Sequence, residues 1–186
     1  VPGALGAIIA MGLGLGGAIG IYALVGERLR DTTDVTTGGV GLVYAGFGVL
    51  TLSGNFLMPW ALGKVRDGRQ LMQICLIGVM LSIVAFFSLE LGILSACFAL
   101  GVWALLGGTG APGLQSYLAG LSESRRGVLM ALGASAMNLG VAAWSAVAAF
   151  GFEYAPVAVA VQAILIIGTG ILVLALAKTG PAQVRR

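Results

Sequence analysis

The sequence contains no histidine, only two cysteines in 186 residues and few charges, 9% of the chain. A soluble domain ordinarily carries roughly 25% charged residues. Here 59% of residues are hydrophobic and the mean hydropathy is +1.03, more apolar surface than a domain of this size can hide from water. The solvent expected around it is lipid.

Other absences narrow the chemistry. Proteolysis within a membrane needs a histidine or paired acids beside the nucleophile, and all seventeen charged residues lie in loops or at the ends of apolar runs. No enzyme activity, catalytic residue, metal site or cofactor is therefore expected. Cys75 and Cys97 both fall inside apolar runs, where a thiol packs as a small hydrophobe. The net charge of +3 could suggest an anionic partner, but the basic residues cluster at turns rather than in a nucleic-acid-binding patch.

What is present is a series of long apolar runs. A helix crossing about 30 Å of hydrocarbon needs roughly 20 apolar residues, so the chain reads as one domain of six transmembrane spans, near residues 3–26, 38–62, 71–89, 91–118, 128–150 and 157–177. The sharpest boundary is Leu62 to Gln70, LGKVRDGRQ, with Lys64, Arg66, Asp67 and Arg69 between two uncharged runs. A second basic turn, LSESRRG, holds Arg125 and Arg126, with Ser122 and Glu123 offering helix-start chemistry. The run ERLRDTTDVTT, from Glu27, reads as a water-exposed loop, and FGFEYAP, from Phe150, as a short aromatic turn. The absence of an initiator methionine and of a basic leader at Val1 reads as an excised piece of a longer chain.

Sidedness follows from charge. One side collects Lys64, Arg66, Asp67, Arg69, Glu123, Arg125, Arg126, Lys178, Arg185 and Arg186; the other has Arg28 and Arg30 against Glu27, Asp31, Asp34, Glu90 and Glu153. The positive-inside tendency makes the first side, with both termini, cytoplasmic.

Within the spans, Gly12, Gly16 and Gly20 recur every four residues, a spacing that lets two backbones approach closely in lipid. Gly110, Pro112 and Gly113 weaken the fourth helix and predict a bend. In the second span Tyr44, Phe47, Thr51, Asn55 and Met58 share one helical face, and in the fifth Ser135, Asn138, Ala142 and Ser145 do the same. An amide facing lipid is costly, so both faces are expected to look inward, toward protein or water. The third and sixth spans are the most apolar and are expected to face lipid. Tyr22, Trp60 and Tyr154 read as interfacial anchors. Three spans precede Glu90 and three follow it, with the basic turns placed as two inverted three-helix repeats require.

Six spans, the basic turn after the second, a proline- and glycine-rich fourth span and the stretch LSESRRGVLMALGASAMNLG together resemble the C-terminal half of a major facilitator superfamily transporter, in look a bacterial sugar- or drug-efflux permease. The resemblance covers essentially the whole chain. Gly68 and Arg69 match the glycine and first arginine of the family's turn motif, and Arg66 its earlier basic position. Val65 replaces the usual acid, Ala61 the opening glycine and Gln70 the last basic residue, which weakens a gating role for this turn.

The resemblance implies an all-α integral membrane half-domain that pairs with an N-terminal six-helix half, most simply in the same polypeptide. It implies a multi-pass permease of the bacterial inner membrane, exporting or exchanging a small solute by rocking between two access states. Tyr44, Phe47, Thr51, Trp103, Ser135 and Asn138 are then the substrate-cavity candidates, each equally open to a packing role. A proton-coupling group, if the efflux or antiport is proton-driven, belongs to the other half. The alternative is a half-size protein, acting as a homodimeric transporter or as a membrane scaffold or sensor.

Overall fold

The computed structural model describes residues 1–177; Lys178, Arg185 and Arg186, counted above for sidedness, lie outside the described residues. Six helices are long and apolar enough to cross a membrane: Ala4–Tyr22, Thr37–Leu62, Gly68–Ser88, Ile93–Gly120, Arg126–Tyr154 and Pro156–Leu176. We call them the first to sixth spans. Long apolar helices satisfy their own backbone groups, which is what hydrocarbon demands. Polar residues stop and start them. The Thr36 hydroxyl accepts from the Gly39 amide at 3.2 Å to open the second span, and the Asp67 carboxylate accepts from the Gln70 amide at 2.8 Å to open the third. Such caps contribute about 1 kcal/mol each.

Two stretches read as loops are largely helical. Val25–Thr32 forms a short helix that buries Val25, Gly26, Arg28 and Leu29; the spacing of Val25, Leu29 and Arg28 gives it an inner face that the charge density of the segment masks. Likewise the fifth span continues to Tyr154, so the aromatic turn shrinks to Ala155 in extended geometry before Pro156 starts the next helix. Proline is favoured there because its missing N–H is one the first turn leaves free anyway. Ser122 and Glu123 make no cap on the fifth span: Arg125 occupies that position without a side-chain bond, and the Ser122 hydroxyl lies 3.3 Å from that of Ser124. The fourth span runs unbroken through Pro112.

The third span packs against the fourth and sixth, the first against the fifth and sixth, and the second mainly against the fourth. In lipid the contacts between helices come from close packing rather than from expulsion of water, and glycines set the approach. A methyl group added at Gly16 would lie 2.8 Å from the Met137 carbonyl oxygen, and one at Gly20 would lie 2.8 Å from the Ser145 nitrogen. Between the second and fourth spans, Gly54 lies on the backbone of Leu105 and Gly108, while Gly108 lies on that of Thr51.

Burial is uneven. Half of the third span's apolar window is inside the molecule, 50%, and 44% of the sixth's, but only 11% of the second's and 17% of the fifth's. The third and sixth spans thus each bury one flank and expose the other, through Ile74, Ile77 and Leu81 or Ile164, Leu165 and Leu172. The exposed apolar flanks are compatible with the lipid contact expected of these two spans; hydropathy gave no sign of the buried flanks, because packed protein and lipid are equally apolar.

Candidate functional site

At the end of the bundle away from the basic turns, four aromatic rings from three spans converge. Tyr22 closes the first span; Tyr44 and Phe47 lie about 10 and 15 Å into the second, and Trp103 about 15 Å into the fourth, at 1.5 Å per residue. The Tyr22 ring lies 4.3 Å from Phe47, 5.2 Å from Tyr44 and 5.9 Å from Trp103, centroid to centroid, and Phe47 lies 5.9 Å from Trp103. Three of these four contacts are edge-to-face, the arrangement that the ring quadrupoles favour, and each contributes about 1 kcal/mol beyond area.

The cluster also holds the short helix. The Gly26 amide, one of the donors a helix start leaves unpaired, donates to the Tyr44 hydroxyl at 2.9 Å. Trp103 is buried, whereas Tyr22, Tyr44 and Phe47 are half-buried and keep part of each ring accessible. Tyr22 is therefore the centre of an internal cluster rather than a free interfacial anchor. Sequence pattern gave no sign of this, since a tyrosine at a span end has the same local context in either role.

Thr51 sits one turn below Phe47, where its hydroxyl donates to the Phe47 carbonyl at 2.9 Å and its backbone meets the fourth span at Gly108. The fourth span returns the contact: the Thr109 hydroxyl donates to Leu105 at 2.8 Å and lies 3.2 Å from the Gly54 carbonyl. Tyr44, Phe47, Thr51 and Trp103 are thus brought to one helix pair. Ser135 and Asn138 are not part of it.

Those two lie on the fifth span, Asn138 about 18 Å from its start and so near the middle of a bilayer. Both are exposed, as is Asn55 on the second span. The second span's expected face is thus split, with Tyr44, Phe47 and Thr51 half-buried against neighbouring spans and Asn55 exposed, while Ser135, Asn138 and Ala142 of the fifth span's face are turned out of this six-helix unit. The cause is the glycine packing: Leu129, Gly133, Gly140 and Ala148 occupy the fifth span's buried side, with Gly140 on the backbone of Gly12 and Gly133 against Met11 and Leu118. The amides are left on the opposite side. Along the second span Gly41, Ala45, Gly48, Leu52 and Asn55 form one exposed stripe, and along the fifth Ala131, Ser135, Asn138, Ala142 and Ala146 form another. Asn55, Ser135 and Asn138 have no side-chain hydrogen bond among the described residues.

Glycines of the fourth and first spans complete the scaffold. Gly110 faces Cys75 and Met72, Gly113 faces Leu71, and Gly12 backs onto Ala136. The first span has a π-helical turn at Met11–Leu15, between its two α-helical segments. No family model, curated protein or solved structure matches the chain.

The basic turn is partly tied down. Asp67 caps the third span, the Gln70 side chain accepts from the Arg66 amide at 2.9 Å, and an Arg69 Nη donates to the Ala177 carbonyl at the end of the sixth span. Lys64, Arg66, Arg125 and Arg126 are exposed. Two further polar residues that sequence reading left without a structural role hold helices together. Arg28 donates to the carbonyls of Phe86, at 3.4 Å, and Leu89, at 3.1 Å, and Gln162 donates to the Trp144 carbonyl at 3.0 Å. Among the described residues no three His, Cys, Asp or Glu side chains come together as metal ligands. The arrangement offers aromatic and amide contacts.

Proposed function

We propose that the chain is the C-terminal half-domain of a major facilitator superfamily secondary transporter, which exports a small drug-like or sugar-like solute through alternating access between two six-helix halves. The observation that carries this reading is the pair of exposed spans. The second and fifth are the least buried helices, yet they carry the amides Asn55 and, near mid-span, Asn138 outward. Lipid is a poor solvent for an unpaired amide; a second six-helix half, with a wet cavity between the halves, supplies partners for both.

The helix pairing supports the same reading. Exchange the first span with the fourth, the second with the fifth and the third with the sixth, and the contacts map onto one another: first–fifth becomes fourth–second, and sixth–first becomes third–fourth. Both the first–fifth and fourth–second pairs close through glycines, Gly12 with Gly140 and Gly108 with Gly54. Two inverted three-helix repeats would produce this pattern. Among the described residues the carboxylates and basic groups of the spans, Arg69, Arg126 and Glu153, stand at span ends rather than in the interior, so if export is proton-driven its coupling group belongs to the partner half. The bilayer is then the bacterial inner membrane, with both basic turns cytoplasmic.

The coding sequence upstream of Val1 tests the architecture: six further spans are expected there, and a start codon immediately before Val1 would remove the single-polypeptide form and leave a homodimer. For function, cells expressing the full coding region are loaded with an amphipathic fluorescent dye and with a labelled sugar. Export of at least one is expected, reduced about tenfold or more by Asn138→Leu. Export of neither above the empty-vector level rejects an efflux role.

A further inference from the structure

We propose that the turn joining the second and third spans is a binding site for one anionic phospholipid, whose phosphate meets Lys64 and Arg66 and whose acyl chain lies along the end of the second span. The site is a groove of about 580 Å³ lined by Met58, Pro59, Leu62, Gly63, Val65 and Arg66, continuing into a second recess of about 330 Å³ that adds Lys64 and Gln70. Its walls are graded. Met58, Pro59, Leu62 and Val65 give the span side an apolar lining, and Lys64 and Arg66 stand on the turn side.

Both cations are available. The one acid of the turn, Asp67, is committed to the Gln70 amide, and Gln70 to the Arg66 amide. Neither the Lys64 nor the Arg66 side chain has a hydrogen bond or ion pair among the described residues. Lys64 Nζ sits 5.7 Å above the ring of Trp60, which is 67% exposed. That cation–π contact steadies the ammonium at the end of the second span, beside the groove, and an exposed indole suits the water–lipid interface. Arginine suits a phosphodiester because its planar fork donates two parallel hydrogen bonds. A docked protein helix would satisfy the apolar wall but would leave two unpaired cations at its edge. A phospholipid satisfies both at once.

The test uses the whole chain in vesicles of phosphatidylcholine with and without phosphatidylglycerol. Native mass spectrometry of the detergent-released protein is expected to show one retained phosphatidylglycerol and no comparable phosphatidylcholine. Fluorescence of a Trp103→Phe/Trp144→Phe variant, which leaves Trp60 as the only indole, is expected to be quenched more by brominated phosphatidylglycerol than by brominated phosphatidylcholine. Both preferences should fall about tenfold or more in Lys64→Gln/Arg66→Gln, the scale that two basic residues near an anionic surface supply. Those side chains are exposed, so the variant is expected to keep the parent's thermal midpoint. Equal retention of the two lipids by the unmodified chain overturns the proposal. So does selectivity that survives in the double variant, or displacement of the lipid by soluble glycerol phosphate at equal concentration, which would make the site one for a free phosphate. A photo-crosslinker at Val65 that captures protein rather than lipid assigns the groove to a partner helix and overturns it as well.

Discussion

Arg28 ties the short helix Val25–Thr32 to the end of the third span. Its side chain is buried, and its guanidinium spans the open C-terminal carbonyls of the third span, where the helix dipole favours a cation. Removing it strands those carbonyls and releases the short helix Val25–Thr32 from the bundle. Arg28→Ala is expected to cost about 1–3 kcal/mol, the scale of a charged hydrogen-bonding group lost from a buried position. Thermal unfolding in detergent should show a lowered midpoint, with Arg28→Lys recovering part of it and Arg30→Ala, whose side chain is exposed, leaving it unchanged. Sequence reading placed Arg28 in a polar loop because a charged run looks the same whether or not one of its members turns inward. The Val25–Leu29 spacing was the one usable signal.

At the scale of an element, glycine has two opposite meanings in this chain. Gly140 lies on the backbone of Gly12, while Gly46 on the second span has nothing within 4 Å of where a side chain would begin. Gly140→Ala forces two helices apart and is expected to weaken the first–fifth pairing. Gly46→Ala touches nothing and is expected to add up to about 1 kcal/mol through helix propensity. Resistance of the folded protein to sodium dodecyl sulfate should fall for the first variant and hold or rise for the second; the same direction for both would contradict this packing. The four-residue repeat of Gly12, Gly16 and Gly20 made the first span's packing ridge legible, since spacing fixes which residues share a face. Its partner was not legible. Only the folded chain shows that the ridge meets Ala136 to Ser145.

For the whole molecule, the arrangement of charge yields an orientation that labelling can check. In a background lacking Cys75 and Cys97, a cysteine placed at Asp34 is expected to react with a membrane-impermeant maleimide in intact cells. One placed at Ser124 is expected to react only after permeabilisation. Reversed reactivity would invert the orientation without altering the six spans. Reaction of both in intact cells would mean that the two turns share a side, and the span count would be wrong.

The sequence by itself determined the number of spans, their approximate ends and the turns between them. These follow from the length of apolar runs and from where charge interrupts them, both of which are local properties. It also located the polar residues within the second and fifth spans, by helical period. It could not decide which way those faces point, because that depends on which neighbour takes the opposite face. The tertiary structure decided it: glycine backbones of the first and fourth spans take the close contacts, and Asn55, Ser135 and Asn138 are turned to the open side. The same holds for the aromatic cluster, whose four rings come from helices separated by up to 81 positions in the chain, from Tyr22 to Trp103. Proximity between distant residues is set by how helices pack, and in a chain this apolar throughout, hydropathy cannot distinguish a protein neighbour from lipid.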